Sequence, residues 1–152
     1  MTYARNTVYG TEVSMWADVV AKRPDNLRAR NDLAVALSEA GRVGEAMEAY
    51  RSILERIPES ERKRLSAGER PRGRTVSKYS YRYHFARAQA NMGQLLARMG
   101  RRDEAIGHYV LSLRAVPGLR EVHGMLRGAL LAEPGIDEEN VDAEIERRLR
   151  LF

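Results

Sequence analysis

Residues that commonly catalyse reactions or bind metals are few in this sequence and are not spaced for either task. The three histidines, His84, His108 and His123, have no carboxylate or second histidine at metal-ligand spacing. With no cysteine, the chain has no disulfide, thiolate metal site or cysteine nucleophile. The pair Asp103-Glu104 falls at an expected helix start, where acidic residues stabilise the helix dipole. We therefore expect a protein that is not an enzyme and uses no metal and no cofactor.

Positive charge is concentrated in one segment. The net charge is +5, and residues 59–85 hold eight basic and three acidic residues, so the other 125 residues balance at 18 against 18. The basic residues of this segment are Arg62, Lys63, Arg64, Arg70, Arg72, Arg74, Lys78 and Arg82. The surplus of basic over acidic residues in this segment equals the net charge of the whole chain. The net charge therefore comes from this segment, and the rest of the protein is neutral.

The same segment predicts a loop followed by a helix. Residues 61–77 are rich in Arg, Ser, Gly and Pro, have little apolar periodicity, and indicate a mobile loop. Aromatic residues then alternate from Tyr79 to Phe85, and we favour a helix there, capped by Ser77 or Ser80, over a short strand. Three interpretations stay open for the segment: a solvated insertion, contact with an anionic protein or lipid surface, and nucleic-acid binding, of which nucleic acid is the least favoured.

An internal repeat explains most of the remaining sequence. Residues 27–58 align without a gap on residues 86–117, and ten of the 32 positions are identical. Each copy has an apolar helical pattern, a glycine (Gly41 or Gly100), a second apolar pattern and a closing proline. Each copy therefore predicts two antiparallel helices joined by a glycine turn. Small residues such as Gly93 fall where the two helices cross.

This pattern resembles the tetratricopeptide repeat, a 34-residue helix-turn-helix with small, large and proline residues at these spacings. Both copies carry the pattern at equivalent positions: Leu33-Ala34, Leu37, Gly41, Ala46, Tyr50 and Pro58, then Met92-Gly93, Leu96, Gly100, Ala105, Tyr109 and Pro117. The tryptophan of the family is absent. The resemblance implies an all-α fold, an α-solenoid of about two and a half to three antiparallel helix-turn-helix repeats with a basic insertion.

The flanking sequences extend the array to a single domain over residues 1–152. Residues 11–24 predict a leading half repeat with Thr11 as the helix N-cap, and residues 59–85 form the insertion between the two repeats. Residues 120–152 predict a partial repeat, with a first helix over 120–132 and then a capping helix behind an Asp137 N-cap. A terminal repeat needs such a cap because no neighbour covers it.

The resemblance also implies a binding surface and a class of partner. In this family the first helices line a concave face that holds a protein or peptide. Transferred to this sequence, the residues expected on that face are Arg28, Asn31, Asp32, Arg87, Asn91, Gln94 and Arg98. The amides would hydrogen-bond a peptide backbone, and Arg87 and Arg98 would hold a carboxylate. The lysine-asparagine clamp of some members is not matched.

A narrower resemblance covers the first 26 residues. The residues Ala4-Arg5-Asn6, Tyr9, Glu12, Met15-Trp16, Pro24 and Asn26 are similar to the junction that follows the last membrane helix in glycosyltransferase-like proteins with C-terminal tetratricopeptide repeats. It implies a soluble, extracytoplasmic tail tethered to a membrane protein, whereas a free-standing chain would be cytoplasmic. No apolar stretch is long enough to insert in a membrane. The sequence leaves the oligomeric state open.

Overall fold

A computed structural model describes residues 2–69 and 80–151 of the chain. Within these residues the helices are α1 (Thr2–Lys22), α2 (Leu27–Glu39), α3 (Val43–Arg56), α4 (Glu59–Ser66), α5 (Tyr81–Arg98), α6 (Arg102–Ala115), α7 (Arg120–Leu130) and α8 (Val141–Arg150). The described residues contain no strand, and the predicted all-α helical repeat fold is confirmed.

The chain divides into two compact units, each with its own packed helices. The N-terminal unit is Met1–Pro58, with α1 to α3, and the C-terminal unit is Glu59–Phe152, with α4 to α8. In the N-terminal unit α2 packs against both α1 and α3, and in the C-terminal unit α6 packs against every other helix. The single domain over residues 1–152 stays a prediction.

The first helix begins earlier than the sequence pattern suggested. α1 runs from Thr2 to Lys22, so the prediction that Thr11 caps its N-terminus is wrong. A helix-breaking residue is absent before that point in the sequence, and the glycine at position 10 costs only about 1 kcal/mol relative to alanine. The chain is helical through Lys22, as expected, and the assignment of residues 11–24 to a half repeat stays a prediction.

The two repeats make the same turn between their helices. Gly41 and Gly100 both have a φ of 77°, the left-handed region that glycine adopts without strain. The amide of Arg42 donates to the carbonyl of Leu37 at 2.9 Å, and the equivalent bond from Arg101 in the second repeat is 3.0 Å long. The aligned sequences therefore form the same turn, so the repeat in the sequence is also a repeat in the structure.

The second repeat brings its two helices very close together. A Cβ placed on Gly93 would lie 2.7 Å from Cε1 of Tyr109 and 3.1 Å from the carbonyl oxygen of Ala105. Tyr109 is only 3% exposed, so its ring has little room to move away. The predicted close crossing at Gly93 is confirmed. Ala34 takes the equivalent place in the first repeat.

Part of the basic insertion is helical, which corrects the loop prediction over residues 61–66, and residues 70–77 lie outside the described residues. Helix α4 begins directly after Pro58 and has acidic residues in its first turn and basic residues in its last, the order that the helix dipole favours. Its single leucine, Leu65, is 1% exposed, and Gly68 has a φ of 73° just beyond the helix end. A single buried side chain followed by a terminating glycine does not make a periodic apolar pattern, so this helix could not be recognised from apolar periodicity.

Helix α5 starts within the aromatic run, as the helical interpretation predicted. Ser80 is the N-cap, and its hydroxyl accepts a hydrogen bond from the amide of Tyr83 at 3.2 Å. This settles the capping residue as Ser80. Phe85 is 2% exposed and joins the core, whereas Tyr81 is 45% exposed.

The last two helices follow the predicted partial repeat with shifted bounds. α7 ends at Leu130, two residues before the predicted end, and α8 begins at Val141. The carboxylate of Asp137 accepts hydrogen bonds from the amides of Glu139 and Asn140, so it caps the turn that precedes α8 and not the helix itself. Val141 is fully buried, as the apolar stripe of the capping helix requires.

A buried arginine joins the elements at the two edges of the C-terminal unit. Arg114 of α6 is 7% exposed, and its guanidinium donates to the carbonyls of Leu149 at 3.1 Å, Arg148 at 2.8 Å and Leu151. Nη1 also lies 3.5 Å from the carbonyl oxygen of Ser66 at the end of α4. The C-terminal ends of α4 and α8, where carbonyls lack intrahelical donors, are therefore held by one cation.

We expect Gly93→Ala to destabilise the protein even though it installs the residue of the first repeat. The helix-propensity gain of about 1 kcal/mol is outweighed by overpacking, which costs about 1–3 kcal/mol. Urea unfolding of the variant should show a lower midpoint. The control is Gly128→Ala in α7, where an added Cβ would meet no described atom within 4 Å. A Gly93 variant as stable as that control would contradict the close crossing.

We expect Arg114→Met to loosen the ends of α4 and α8 more than the rest of the C-terminal unit. The methionine keeps the apolar stem but leaves the carbonyls without their donor, at a cost of about 1–3 kcal/mol. Amide hydrogen exchange should quicken most in α4 and α8. Arg120→Met, at an exposed position at the start of α7, is the control. Uniform exchange changes across α5 to α8 would count against a local role.

Candidate functional site

A polar stripe runs along one face of α5. Tyr83, Arg87, Asn91, Gln94 and Arg98 recur at intervals of four or three residues and therefore share an arc of about 80° on the helix. Arg98 is exposed, and the other four are half-buried. The opposite side of the helix is buried in the core. The four α5 residues predicted for the binding face thus lie together and reach the surface. We call these five residues the α5 stripe.

The cations of the α5 stripe are available to a partner. Cζ of Arg87 lies 5.8 Å from the centre of the Tyr83 ring, a cation–π contact that orients the guanidinium. Neither Arg87 nor Arg98 forms a salt bridge with any residue that the structure describes. The two arginines are eleven positions apart, which corresponds to about 16 Å along the helix. The stripe therefore presents two separated positive charges with two amides between them.

The equivalent face of α2 carries different charges, and part of it is buried. Arg28 and Asp32 form an ion pair, with 3.8 Å between Nε of Arg28 and Oδ2 of Asp32, so each partly neutralises the charge of the other. Asn31 is 4% exposed and interacts with another group of the protein, so the prediction that it faces a ligand is corrected. Its counterpart in the second repeat, Ala90, is also buried at 8%. The position belongs to the packed flank of the helix.

Comparison with known protein families identifies the N-terminal part of this architecture. The tetratricopeptide repeat family model matches residues 14–67, from the middle of α1 to the end of α4. This segment belongs to the tetratricopeptide repeat family. No curated protein matches the chain.

The match of residues 14–67 to the tetratricopeptide repeat family carries general properties. These repeats generally mediate protein–protein interactions, and their helical fold is generally non-catalytic. Residues 86–117 repeat the pattern of residues 27–58 with the same turn geometry, so the α5 stripe lies on the first helix of the second repeat. Among the described residues, histidines and carboxylates form no group able to hold a metal, and no helix is long and apolar enough to cross a membrane.

The basic insertion between the tetratricopeptide repeats is largely neutralised where it is described. Lys63 pairs with Glu59 at 2.7 Å, and Arg64 pairs with Glu61 at 3.0 Å and with Glu69 at 2.9 Å. Arg62 lies on the same helix, α4, so these cations are helical and not on a loop. Four further predicted residues, Arg70, Arg72, Arg74 and Lys78, lie outside the described residues.

Arg82 has a structural role in place of the predicted contact with an anion. Its Nη1 donates to the carbonyl of Ala115 at 2.7 Å, and its Nη2 donates to the carbonyl of Glu69 at 2.5 Å. Partial burial lowers the pKa of Arg82, with a smaller contribution from Arg64 in the same direction. The guanidinium therefore links the first turn of α5 to the ends of α4 and α6.

The structure shows a groove that sequence reasoning missed. It lies along α6 between the ends of α4 and α8 and has a volume of about 960 Å³. Its floor includes Gly107, Val110 and Leu111. The aligned residues of the first repeat are Glu48, Arg51 and Ser52, so a signal was present: the second repeat replaces polar residues with apolar ones on one helix face. We call this the α6 groove.

A compact ion-pair cluster holds the C-terminal end of α8, at the edge of the α6 groove. Glu144 accepts two hydrogen bonds of 2.6 Å from Arg147 and one of 2.6 Å from Arg148. Hydrogen bonding from Arg147 is the largest cause that lowers the pKa of Glu144 from its ordinary 4.5 to about 2, against a smaller opposing effect of burial. Arg148 also reaches Glu133 at 2.9 Å, which ties α8 to the segment after α7.

We expect the contribution of Glu144 to stability to depend on pH. Because its folded-state pKa is depressed from 4.5 to about 2, its stabilisation is present above pH 4.5 and is lost as the pH falls toward 2. The difference in unfolding free energy between wild type and Glu144→Gln should therefore shrink over that window. Glu146→Gln, which removes a more exposed ion pair with Arg150, is the control and should have a small effect at pH 7. A difference that stays constant from pH 7 to 2 would contradict the assignment.

Proposed function

We propose that this chain is a non-catalytic protein-interaction module and that the α5 stripe binds an extended acidic peptide. The observation that carries the proposal is the pair of cations, Arg87 and Arg98, on one helix face with Asn91 and Gln94 between them. Both cations lack an ion-pair partner among the described residues. Membership of a repeat family that generally mediates protein–protein interactions supports the class of function.

The spacing of the stripe defines the peptide. An extended chain advances about 3.3 Å per residue, so five residues cover the distance of about 16 Å between Arg87 and Arg98. Because alternate side chains of an extended chain share a face, carboxylates four positions apart, or about 13 Å, point to the same side and come within reach of both flexible guanidinium groups. Between them, Gln94 offers an amide donor and acceptor to the peptide backbone, and Asn91, which also interacts with another group of the protein, lies beside it. Bidentate arginine–carboxylate bonds give this arrangement its specificity.

The alternative functions have less support from the described residues. The cations of α4 are mostly paired, and Arg82 is bound to backbone carbonyls, so an anionic partner of the insertion would depend on Arg70, Arg72, Arg74 and Lys78. The role as the tail of a membrane glycosyltransferase-like protein stays a prediction based on the resemblance of the first 26 residues.

We expect Arg87→Ala and Arg98→Ala each to weaken peptide binding about five- to tenfold, since each removes one charge-assisted contact at a partly exposed site. The probe is a fluorescein-labelled nine-residue peptide of glycine, serine and alanine with glutamates at its second and sixth positions, and its binding is measured by fluorescence anisotropy. The Arg87/Arg98 double variant should lose binding.

Two controls make this experiment decisive. Arg120→Ala removes an exposed arginine from the start of α7 and should leave the affinity unchanged. The same peptide with glutamines in place of glutamates should bind weakly to the wild type. The proposal that the α5 stripe binds carboxylates would be overturned if the glutamate and glutamine peptides bound with equal affinity. It would also be overturned if the alanine variants of Arg87, Arg98 and Arg120 lost affinity equally.

A further inference from the structure

We infer that the α6 groove is a second docking surface, which binds a short amphipathic helix of a protein partner. The inference does not depend on the proposed function, since the groove shares no residue with the α5 stripe. It lies within the C-terminal unit, with α6 as its floor and the ends of α4 and α8 as its walls. A smaller groove of about 500 Å³ lies at the aligned positions of the first repeat, where Glu48 and Ser52 make its lining more polar.

The chemistry of the floor is the first argument. In the first repeat, Glu48 and Arg51 pair with each other on the helix surface, and both are more than half exposed. In the second repeat the aligned residues are Gly107 and Val110. Val110 is partly covered by neighbouring elements and is 7% exposed, but Gly107 is exposed and Leu111 is half-buried. Apolar surface therefore extends beyond what α4 and α8 bury.

The dimensions of the groove fit a helix. Its floor runs along α6 from Asp103 to Arg114, twelve residues that span about 16 Å. Three turns of a partner helix cover that length, with apolar side chains recurring every three or four residues. Gly107 lies near the middle of the floor, and an added Cβ there would meet no described atom within 4 Å, so a partner side chain has space at this point.

Charge at one end defines the partner further. Asp103 and Glu104 line the groove where α6 begins. Arg101 binds Glu104 through two hydrogen bonds of 2.6 and 2.7 Å, whereas Asp103 forms no salt bridge with a described residue. At the other end Arg114 is engaged by carbonyls, and Arg147 and Arg148 are engaged by Glu144. At the end where α6 begins, the charge without an ion pair is thus negative, which favours an occupant with a basic end over Asp103.

The test uses a dansyl-labelled, twelve-residue amphipathic peptide of leucine, glutamine and lysine, with leucines every three or four positions and two lysines at one end. We expect saturable binding to the intact chain. Gly107→Glu combined with Leu111→Ser, which installs the first-repeat residues, should weaken binding at least tenfold, because it fills the floor with charge and removes a leucine contact. Asp103→Asn, a milder change, should weaken binding several-fold at low salt and less at high salt.

Controls separate this groove from other surfaces. Met99→Ser removes an exposed methionine, 48% exposed at the end of α5, and should leave binding unchanged. Arg87→Ala with Arg98→Ala should also leave it unchanged, so failure of the α5 stripe and failure of the groove are distinguishable. Circular dichroism of the groove variants should match the wild type, and if the double variant unfolds, Asp103→Asn still decides the outcome.

Three outcomes would overturn the inference. The first is equal binding of the peptide and of a version with its two lysines replaced by glutamates. The second is binding that survives both groove variants. The third is a concentration-dependent dimer in sedimentation that Gly107→Glu with Leu111→Ser dissociates, which would assign the groove to a second copy of the chain.

Discussion

The C-terminal unit depends on the hydrogen bonds that the guanidinium of Arg114 donates to backbone carbonyls. The guanidinium sits in a largely buried position on α6 and donates to carbonyls at the ends of two helices that lie outside the repeat pattern. Burial lowers the pKa of Arg114, yet an arginine stays charged in a protein interior, so the cation must be compensated by the carbonyls around it. Its position brings the ends of α4 and α8 together over α6 and leaves the α6 groove between them. The first repeat has Glu55 at the aligned position and therefore no such contact.

The two repeats have the same backbone geometry at their turns and differ in their surfaces. The glycine turns, with equal φ values at Gly41 and Gly100, and the arginine–glutamate pairs that follow them are the same in both. By contrast, the face of α2 carries an internal ion pair between Arg28 and Asp32, while the equivalent face of α5 carries two cations without ion-pair partners among the described residues. Backbone geometry is thus conserved within the chain because it is set by turn and crossing residues, and the exposed positions are left to specify binding.

The positive charge of the protein has two structural roles in the described residues. Arg82 and Arg114 stabilise helix ends by donating to backbone carbonyls, and the arginines and lysine of α4 mostly form surface pairs with glutamates of the same segment. Residues 59–69 and 80–85 hold four basic and three acidic residues, so little of the surplus of +5 remains there. The rest of the surplus belongs to Arg70, Arg72, Arg74 and Lys78.

The sequence by itself determined the repeats, the helix pairs, the glycine turns and the polar positions of α5, because each follows from periodicity or from the backbone preference of one residue type. It did not determine α4, whose only fully buried side chain is Leu65, or the early start of α1. The burial of Asn31, the structural role of Arg82 and the α6 groove were decided by the tertiary structure alone. Each depends on which side chains and carbonyls from distant segments surround a residue, and one-dimensional periodicity does not encode those neighbours.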